Sequence, residues 1–117
     1  MKVLVCGGRD YADYEELAAV LRKINNAHGI TLIIEGGAMG ADFLAFQWAK
    51  EAGIPILSFK ADWKRWGTAA GPVRNQQMMD EGKPDLVVAF PGGRGTADMV
   101  GRARQHGIPV EGPGAPD

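Results

Sequence analysis

The chain has 117 residues, of which 45% are hydrophobic and 23% are charged, and its formal net charge is -1. These values are typical of one ordinary globular domain, and they give no electrostatic reason to expect a nucleic-acid or membrane partner. A single cysteine, Cys6, excludes an internal disulfide and favours a reducing cytoplasm. The start of the chain lacks a long apolar region, so we expect no signal peptide. No apolar run approaches the roughly 20 residues that span a bilayer.

The first half of the chain alternates short apolar runs with amphipathic ones. The run from Lys2 to Cys6 predicts a buried strand. Asp13 and Glu16 have the spacing of a capping box and predict a helix that ends near Gly29. The elements expected next are a strand at residues 30–34, a helix between Gly40 and Gly53, and a strand at residues 54–59.

The second half continues the same alternation after a longer loop, which we expect at residues 60–71. Pro72 suits the first turn of a helix that runs to about Glu81. The tail at residues 111–117 is rich in glycine and proline, and we expect it to be disordered. The remaining predicted elements are a strand at residues 85–90, a helix at residues 96–106 and a strand at residues 108–110.

Strict alternation of strands and helices predicts a parallel sheet that is covered by helices on both faces. We therefore expect a single three-layer α/β domain over residues 1–110, with about five parallel strands. Such sheets bind ligands beyond the carboxyl ends of the strands, near the point where the strand order reverses. Glycines follow three of the predicted strands at that end: Gly7, Gly8, Gly36, Gly37, Gly92, Gly93 and Gly95.

The most informative of these turns is Pro91-Gly92-Gly93-Arg94-Gly95-Thr96, which lies between a predicted strand and a predicted helix. Its glycines leave no side chain to block a ligand. The amides at the start of the next helix carry partial positive charge, which suits a phosphate or a carboxylate. Because two similar turns occur earlier in the chain, we expect an anion site at the strand ends.

Charged side chains accompany the glycine turns. Arg9, Arg74 and Arg94 lie in or beside them, either to hold an anion or as ordinary solvated loop residues. Glu35 ends a predicted strand and is a candidate for a ribose contact or for general acid/base chemistry. Asp42 and Asp98 would lie in the first turns of helices, where a negative charge is favourable without any catalytic role.

Several common site signatures are absent from the sequence. There is no Gly-x-x-x-x-Gly-Lys-Ser/Thr motif, and the first turn is not Gly-x-Gly-x-x-Gly. Neither His28 nor His106 has a partner at metal-ligand spacing, so we expect no metal and no bound cofactor. Two interpretations stay open for Trp63 and Trp66 in the long loop. In the first, they stack on the base of a ligand or shield the site from water. In the second, they anchor the loop on the fold or fill a subunit interface.

Five motifs follow one another along the chain. They are Val5-Cys6-Gly7-Gly8-Arg9-Asp10, Gly36-Gly37-Ala38-Met39-Gly40-Ala41-Asp42, Ala61-Asp62-Trp63, Gly71-Pro72-Val73-Arg74-Asn75 and Pro91-Gly92-Gly93-Arg94-Gly95-Thr96-Ala97-Asp98. Together and in this order they resemble the YspA-like branch of the SLOG superfamily, the Rossmann-like group that contains the LONELY GUY and Smf/DNA-processing families. The resemblance implies a Rossmann-like fold, a nucleotide-derived ligand, self-association and a role in sensing or signalling.

LONELY GUY enzymes cleave the N-glycosidic bond of nucleoside monophosphates and carry the signature Pro-Gly-Gly-x-Gly-Thr-x-x-Glu. Arg74 matches their arginine in the order of elements, but Met99 occupies the position of their glutamate. A thioether neither stabilises a cationic sugar nor moves a proton. Asp98 is adjacent, yet one residue along a helix turns the side chain by about 100°. The resemblance therefore supports phosphate binding more strongly than hydrolysis.

These observations predict a protein that binds a phosphorylated nucleoside or a nucleotide-derived ligand at the glycine-rich strand ends. The turn from Gly92 to Thr96 would hold the phosphate. The alternative is a nucleotide N-glycosidase that uses Glu35, Asp10 or Asp98 in place of the missing glutamate. A third hypothesis is an assembly module without a ligand. Unlike the Smf relatives, the chain shows no extra DNA-binding module, so nucleic acid is a less favoured partner.

Overall fold

Five short strands form the central sheet of the computed structural model, which describes residues 1–115. All neighbouring strands are parallel. They are β1 (Lys2–Cys6), β2 (Leu32–Glu35), β3 (Ile56–Ser58), β4 (Leu86–Ala89) and β5 (Val110–Glu111). Their order across the sheet is β3-β2-β1-β4-β5, so the chain builds one half outward from β1 and then crosses to the other side. The strand order therefore reverses between β1 and β4.

Helices connect the strands and cover both faces of the sheet. They are α1 (Tyr14–His28), α2 (Ala41–Ala52), α3 (Trp63–Trp66), α4 (Ala70–Gln77) and α5 (Arg94–Gln105). A 3-10 turn at Gly67–Ala69 joins α3 to α4, and a π-helical turn at Met78–Gly82 extends α4. No helix among residues 1–115 is both long enough and apolar enough to cross a membrane.

The buried side chains form one core on each face of the sheet. Val3 and Val5 of β1 belong to the core that includes the inner faces of α1 and α2. Leu4 and Cys6 point the other way, into the core that contains Met78 and the inner face of α5. This alternation along β1 follows from the two-residue period of a strand, and burial on both faces explains why the strand is apolar throughout.

The structure confirms the predicted fold class, the five parallel strands and their alternation with helices. The Asp13 cap is also confirmed, since its carboxylate accepts a hydrogen bond of 3.0 Å from the Glu16 amide. Most strands are shorter than predicted, because only part of each apolar run pairs with a neighbour. The loop expected at residues 60–71 contains α3, whose first turn is capped by Asp62.

The tail also differs from the expectation of disorder over residues 111–117. Glu111 belongs to β5, and the Gly114 amide donates a 2.8 Å hydrogen bond to the carbonyl oxygen of Ala89. A Cβ at Gly114 would lie 2.2 Å from the backbone of Phe90, so this glycine allows the tail to pack on the end of β4. The expectation for Pro116 and Asp117 lies outside the described residues.

Two glycines that flank α2 give a test of loop packing. Both have positive φ, 74° at Gly40 and 71° at Gly53, but a Cβ at Gly40 would lie 2.1 Å from the carbonyl oxygen of Gly8, whereas Gly53 has open space. We expect Gly53→Ala to lose about 1–2 kcal/mol of stability from the left-handed backbone alone. Gly40→Ala should lose at least about 2 kcal/mol more, from overlap and from a backbone with ψ -128° that is open almost only to glycine. Urea unfolding followed by circular dichroism measures both; equal losses would contradict the packing argument.

Candidate functional site

A cavity of about 510 Å³ opens beyond the carboxyl end of β1. It lies where the strand order reverses, which is the usual ligand position in a parallel sheet. Its volume falls within the range of about 300–1,000 Å³ that is usual for small-molecule sites. Its walls come from the segment after β1, the start of α2, the α3–α4 segment and the first turn of α5.

Many of the residues expected from the sequence meet in this cavity. Those that line it are Gly7, Gly8, Arg9, Arg74, Gly93, Arg94, Gly95, Thr96 and Asp98. The structure does not place Asp10, Glu35, Gly36, Gly37, Pro91 or Gly92 in its lining. Of the two loop tryptophans, Trp63 lines the cavity and Trp66 does not.

The glycines divide into two groups with different roles. The Gly8 amide donates a 2.8 Å hydrogen bond to the Pro91 carbonyl oxygen, and a Cβ at Gly92 would lie 2.6 Å from the Gly8 nitrogen. These glycines permit two loops to pack together. Gly93 and Gly95 have open space where a side chain would stand, although both line the cavity. Packing therefore does not require glycine at either position, and their small size leaves room beside the start of α5.

Glu35 has a structural role in the loop after β2, whereas the sequence suggested a role in ligand contact or chemistry. Its carboxylate is buried and accepts hydrogen bonds from the Gly37 amide and the Ser58 hydroxyl. These contacts fix the loop after β2 and tie it to β3. A Cβ at Gly36, the next residue, would lie 2.6 Å from Nη1 of Arg74 and 2.9 Å from Oδ2 of Asp42. Gly36 thus provides the space in which a cation and a carboxyl group approach each other.

Arg74 is held in place by two of its five N–H donors. Nη1 donates to the Gly36 carbonyl oxygen, and Nε donates to Oδ1 of Asn75 at 3.0 Å. Burial lowers the pKa of Arg74, while the charge of Asp42 opposes that change. An arginine remains cationic at any physiological pH. Arg74 therefore supplies a fixed positive charge to the cavity wall.

Asp98 is an ionised carboxylate that is already engaged by neighbours. Oδ2 accepts hydrogen bonds of 2.9 Å from Nδ2 of Asn75 and 2.8 Å from Nε of Arg102. Burial alone would raise the pKa of Asp98, but the hydrogen bonds from Arg102 and Asn75 outweigh it and lower the pKa. Asn75 also donates to the Gly95 carbonyl oxygen at 3.2 Å, so it joins α4 to the first turn of α5. Asn75 was not among the predicted site residues, although it adjoins Arg74 in the motif.

Asp42 is the carboxyl group that the sequence analysis interpreted only as a helix-start residue. It is 7% exposed, lines the cavity and accepts a 3.3 Å hydrogen bond from the Ala38 amide. Burial raises the pKa of Asp42 to about 6, although the Ala38 amide and Arg74 favour its ionised form. Its place in the first helical turn after a glycine-rich strand end is the sequence signal that would have found it.

The other reactive side chain of the cavity is Cys6. Burial raises the pKa of its thiol to about 12, and the nearby charge of Asp42 adds to the effect. A thiol in this state is a poor nucleophile, and Cys6 packs in the apolar core beside Leu4. Within residues 1–115, no group of three or more His, Cys, Asp and Glu side chains is placed to hold a metal ion.

The fold and the site define a Rossmann-like domain with a ligand-sized cavity at its switch point. The family model of YAcAr, the YspA, cpYpsA-related SLOG family, matches residues 1–66, which is more than half of the chain. The protein therefore belongs to this family, as the motifs of the sequence indicated.

Solved structures share the fold at low sequence identity. DNA processing protein A (DprA) from Streptococcus pneumoniae has a TM-score of 0.78 and 19% identity, over 95% of this chain and 49% of its own. The molybdenum cofactor carrier protein MCP from Chlamydomonas reinhardtii has a TM-score of 0.66 and 23% identity, over 97% of this chain and 76% of its own. The chain thus spans about half the length of DprA. No curated protein matches the chain.

The raised pKa of Asp42 gives a prediction about stability and pH. Since the folded pKa is about 6 and the usual value is 3.8, the folded state binds this proton more tightly. The resulting stabilisation is complete below about pH 4 and is lost as the pH rises through 6. Relative to Asp42→Asn, the wild-type protein should therefore lose up to about 3 kcal/mol between pH 4 and 7.

Urea unfolding at a series of pH values measures this difference. Asp10→Asn, which removes an exposed carboxylate from the neighbouring loop, provides the control curve. Parallel curves for the wild-type protein and Asp42→Asn would contradict the assignment.

Proposed function

We propose that the cavity binds a phosphorylated nucleoside or a nucleotide-derived ligand, with its phosphate at the start of α5. The observation that carries this proposal is the uncapped first turn of that helix. The first amides of a helix have no intrahelical acceptor, and the N-cap residue Gly93 has no side chain to accept from them. The open positions at Gly93 and Gly95 let an anion approach these amides.

The arginines support an anion in the same place. Arg74 stands in the wall, while Arg9 and Arg94 are exposed at the cavity rim. After burial, the positive charge of Arg9 is a further cause of the lowered pKa of Arg74, so the two cations lie close enough to repel each other. A phosphate between them would relieve this repulsion and accept charge-assisted hydrogen bonds from both.

The named relatives bear on the type of ligand. MCP is a molybdenum cofactor carrier by name, and this agrees with a small-molecule ligand. DprA is a DNA processing protein by name, so a nucleic-acid segment is the competing ligand class. Self-association and a cytoplasmic location remain predictions from the family resemblance and from the single cysteine, respectively.

Two glycines of α5 form a matched pair for testing the phosphate site. Gly95 and Gly101 are both helical and both have open space at the Cβ position, but only Gly95 lines the cavity. Leucine is the better helix former, so neither Gly95→Leu nor Gly101→Leu should destabilise the fold. We expect Gly95→Leu to weaken the binding of adenosine or guanosine monophosphate by at least about tenfold, which corresponds to about 1.4 kcal/mol.

Isothermal titration calorimetry measures these affinities, with inorganic phosphate as a second probe. Gly101→Leu should bind within about twofold of the wild-type protein, since Gly101 does not line the cavity and its replacement leaves the first amides of α5 accessible. Equal affinities for the two variants would contradict the phosphate position. If the wild-type protein binds none of these compounds, the proposed function itself is wrong.

Asp42 favours a second candidate function, nucleotide N-glycosidase activity. A carboxyl group with a pKa of about 6 can hold a proton near neutral pH and give it to a leaving base. In this reaction the C1′–N bond breaks, and the base leaves with the electron pair and takes the proton of Asp42. Water adds to C1′ and loses a proton to Asp98. Of Glu35, Asp10 and Asp98, only Asp98 lines the cavity.

This candidate predicts release of free base and ribose 5-phosphate from a nucleoside monophosphate. Asp42→Asn should still bind the nucleotide but should lower turnover by about 100-fold or more, because the amide has no proton of suitable acidity. Chromatography of the reaction products measures turnover. If the wild-type protein releases no base at high concentration, the glycosidase hypothesis is wrong, whereas the binding proposal stands on the calorimetric result.

A further inference from the structure

We propose that Trp63 and Arg9 form a base-binding subsite at the mouth of the cavity. This inference rests on the proposed function and deepens it. The subsite would make the protein selective for ligands that carry a planar aromatic base beside the phosphate. A sugar phosphate alone would bind through the start of α5 and would gain nothing from the indole.

Trp63 presents an exposed aromatic surface to the cavity. Its side chain is 49% exposed and lines the cavity, so an indole surface is open to whatever enters. The backbone beneath it is well defined, because Asp62 accepts a 3.1 Å hydrogen bond from the Arg65 amide at the start of α3. The far edge of the indole, Cη2, lies 3.8 Å from the position that a Cβ would take at Gly71, so the ring lies beside the start of α4. A large aromatic side chain that is held in place but half exposed is a good stacking surface.

Arg9 lies at the cavity rim, next to the indole of Trp63. Its guanidinium carbon lies 5.3 Å from the centre of the Trp63 ring. Within residues 1–115, no carboxylate forms an ion pair with Arg9, so this exposed cation–π contact is its visible anchor. Such a contact is weak at an exposed site. A base that stacks on the indole can therefore replace the guanidinium, which is then available for the ligand's phosphate or for stacking on the base.

The neighbouring Trp66 provides an internal control for this subsite. It belongs to the same short helix, is 43% exposed and has the guanidinium of Arg65 at 4.8 Å from its ring centre. Trp66 therefore matches Trp63 in exposure and in its cationic neighbour. It differs in one respect, because it does not line the cavity.

The experiment compares Trp63→Leu, Trp63→Phe and Trp66→Leu with the wild-type protein. Calorimetry gives the affinities for adenosine monophosphate, guanosine monophosphate and ribose 5-phosphate, and urea unfolding confirms that each variant is folded. We expect Trp63→Leu to weaken nucleotide binding by about tenfold or more while ribose 5-phosphate binding changes by less than about twofold. Trp63→Phe, which keeps an aromatic face, should recover most of the nucleotide affinity. Trp66→Leu should change neither affinity.

Other results overturn the inference in distinguishable ways. Equal weakening of nucleotide and ribose 5-phosphate binding by Trp63→Leu would give Trp63 a structural role only. Unchanged nucleotide affinity, or an equal loss in Trp66→Leu, would also remove the subsite. If the wild-type protein binds ribose 5-phosphate as tightly as the nucleotides, the phosphate site survives and the base subsite fails. If it binds none of the three, the proposed function fails as well.

Discussion

The hydrogen bond from the Gly8 amide to the Pro91 carbonyl oxygen joins the two loops on which the candidate site depends. Because β1 and β4 are neighbours in the sheet, their carboxyl ends bring these loops together at the point where the strand order reverses. The Gly8 carbonyl oxygen also accepts a 3.2 Å hydrogen bond from the Ala41 amide, so the start of α2 is fixed to the same point. Gly8 thus sets the positions of the starts of α2 and α5. A bulky side chain at Gly92 would push the two loops apart, because its Cβ would lie 2.6 Å from the Gly8 nitrogen.

The electrostatics of the cavity follow from this close packing. Burial in the packed wall raises the pKa of Asp42. Burial also acts to raise the pKa of Asp98, but hydrogen bonds from Arg102 and Asn75 outweigh it, so that the pKa is lowered. Two carboxyl groups in one cavity thereby have pKa values shifted in opposite directions, and the charge of Asp98 is balanced by Arg102. Arg74 offsets the charge of Asp42, and the exposed Arg9 and Arg94 together with the amides of α5 supply the remaining positive potential that an anion would meet.

The sequence predicts the sheet and the glycine turns well because both depend on local patterns. It cannot separate Gly92 from Gly93, which are identical neighbours; the first faces the Gly8 backbone across the gap, and the second faces open space. The same limit explains why the sequence favoured Glu35 as a site residue and missed Asp42. The pattern favours Glu35 because it ends a strand, but Ser58, on a distant part of the chain, takes up its carboxylate. Asp42 lies in the first turn of α2 as predicted, but it reaches the cavity because the Ala41 amide is held by the carbonyl oxygen of Gly8, a long-range contact that no local pattern shows.

The orientation of the first turns of α5 favours ligand binding over catalysis. Met99 is 1% exposed and packs in the apolar core with Leu4 and Val87, while the preceding residue, Asp98, lines the cavity. A glutamate at position 99 in this helix orientation would be buried among apolar side chains, which is costly for a charged group. Phosphate recognition needs only the backbone amides and the arginines, and both are in place. Bond cleavage would instead depend on Asp42, whose pKa is raised because the same loop packing buries its carboxyl group.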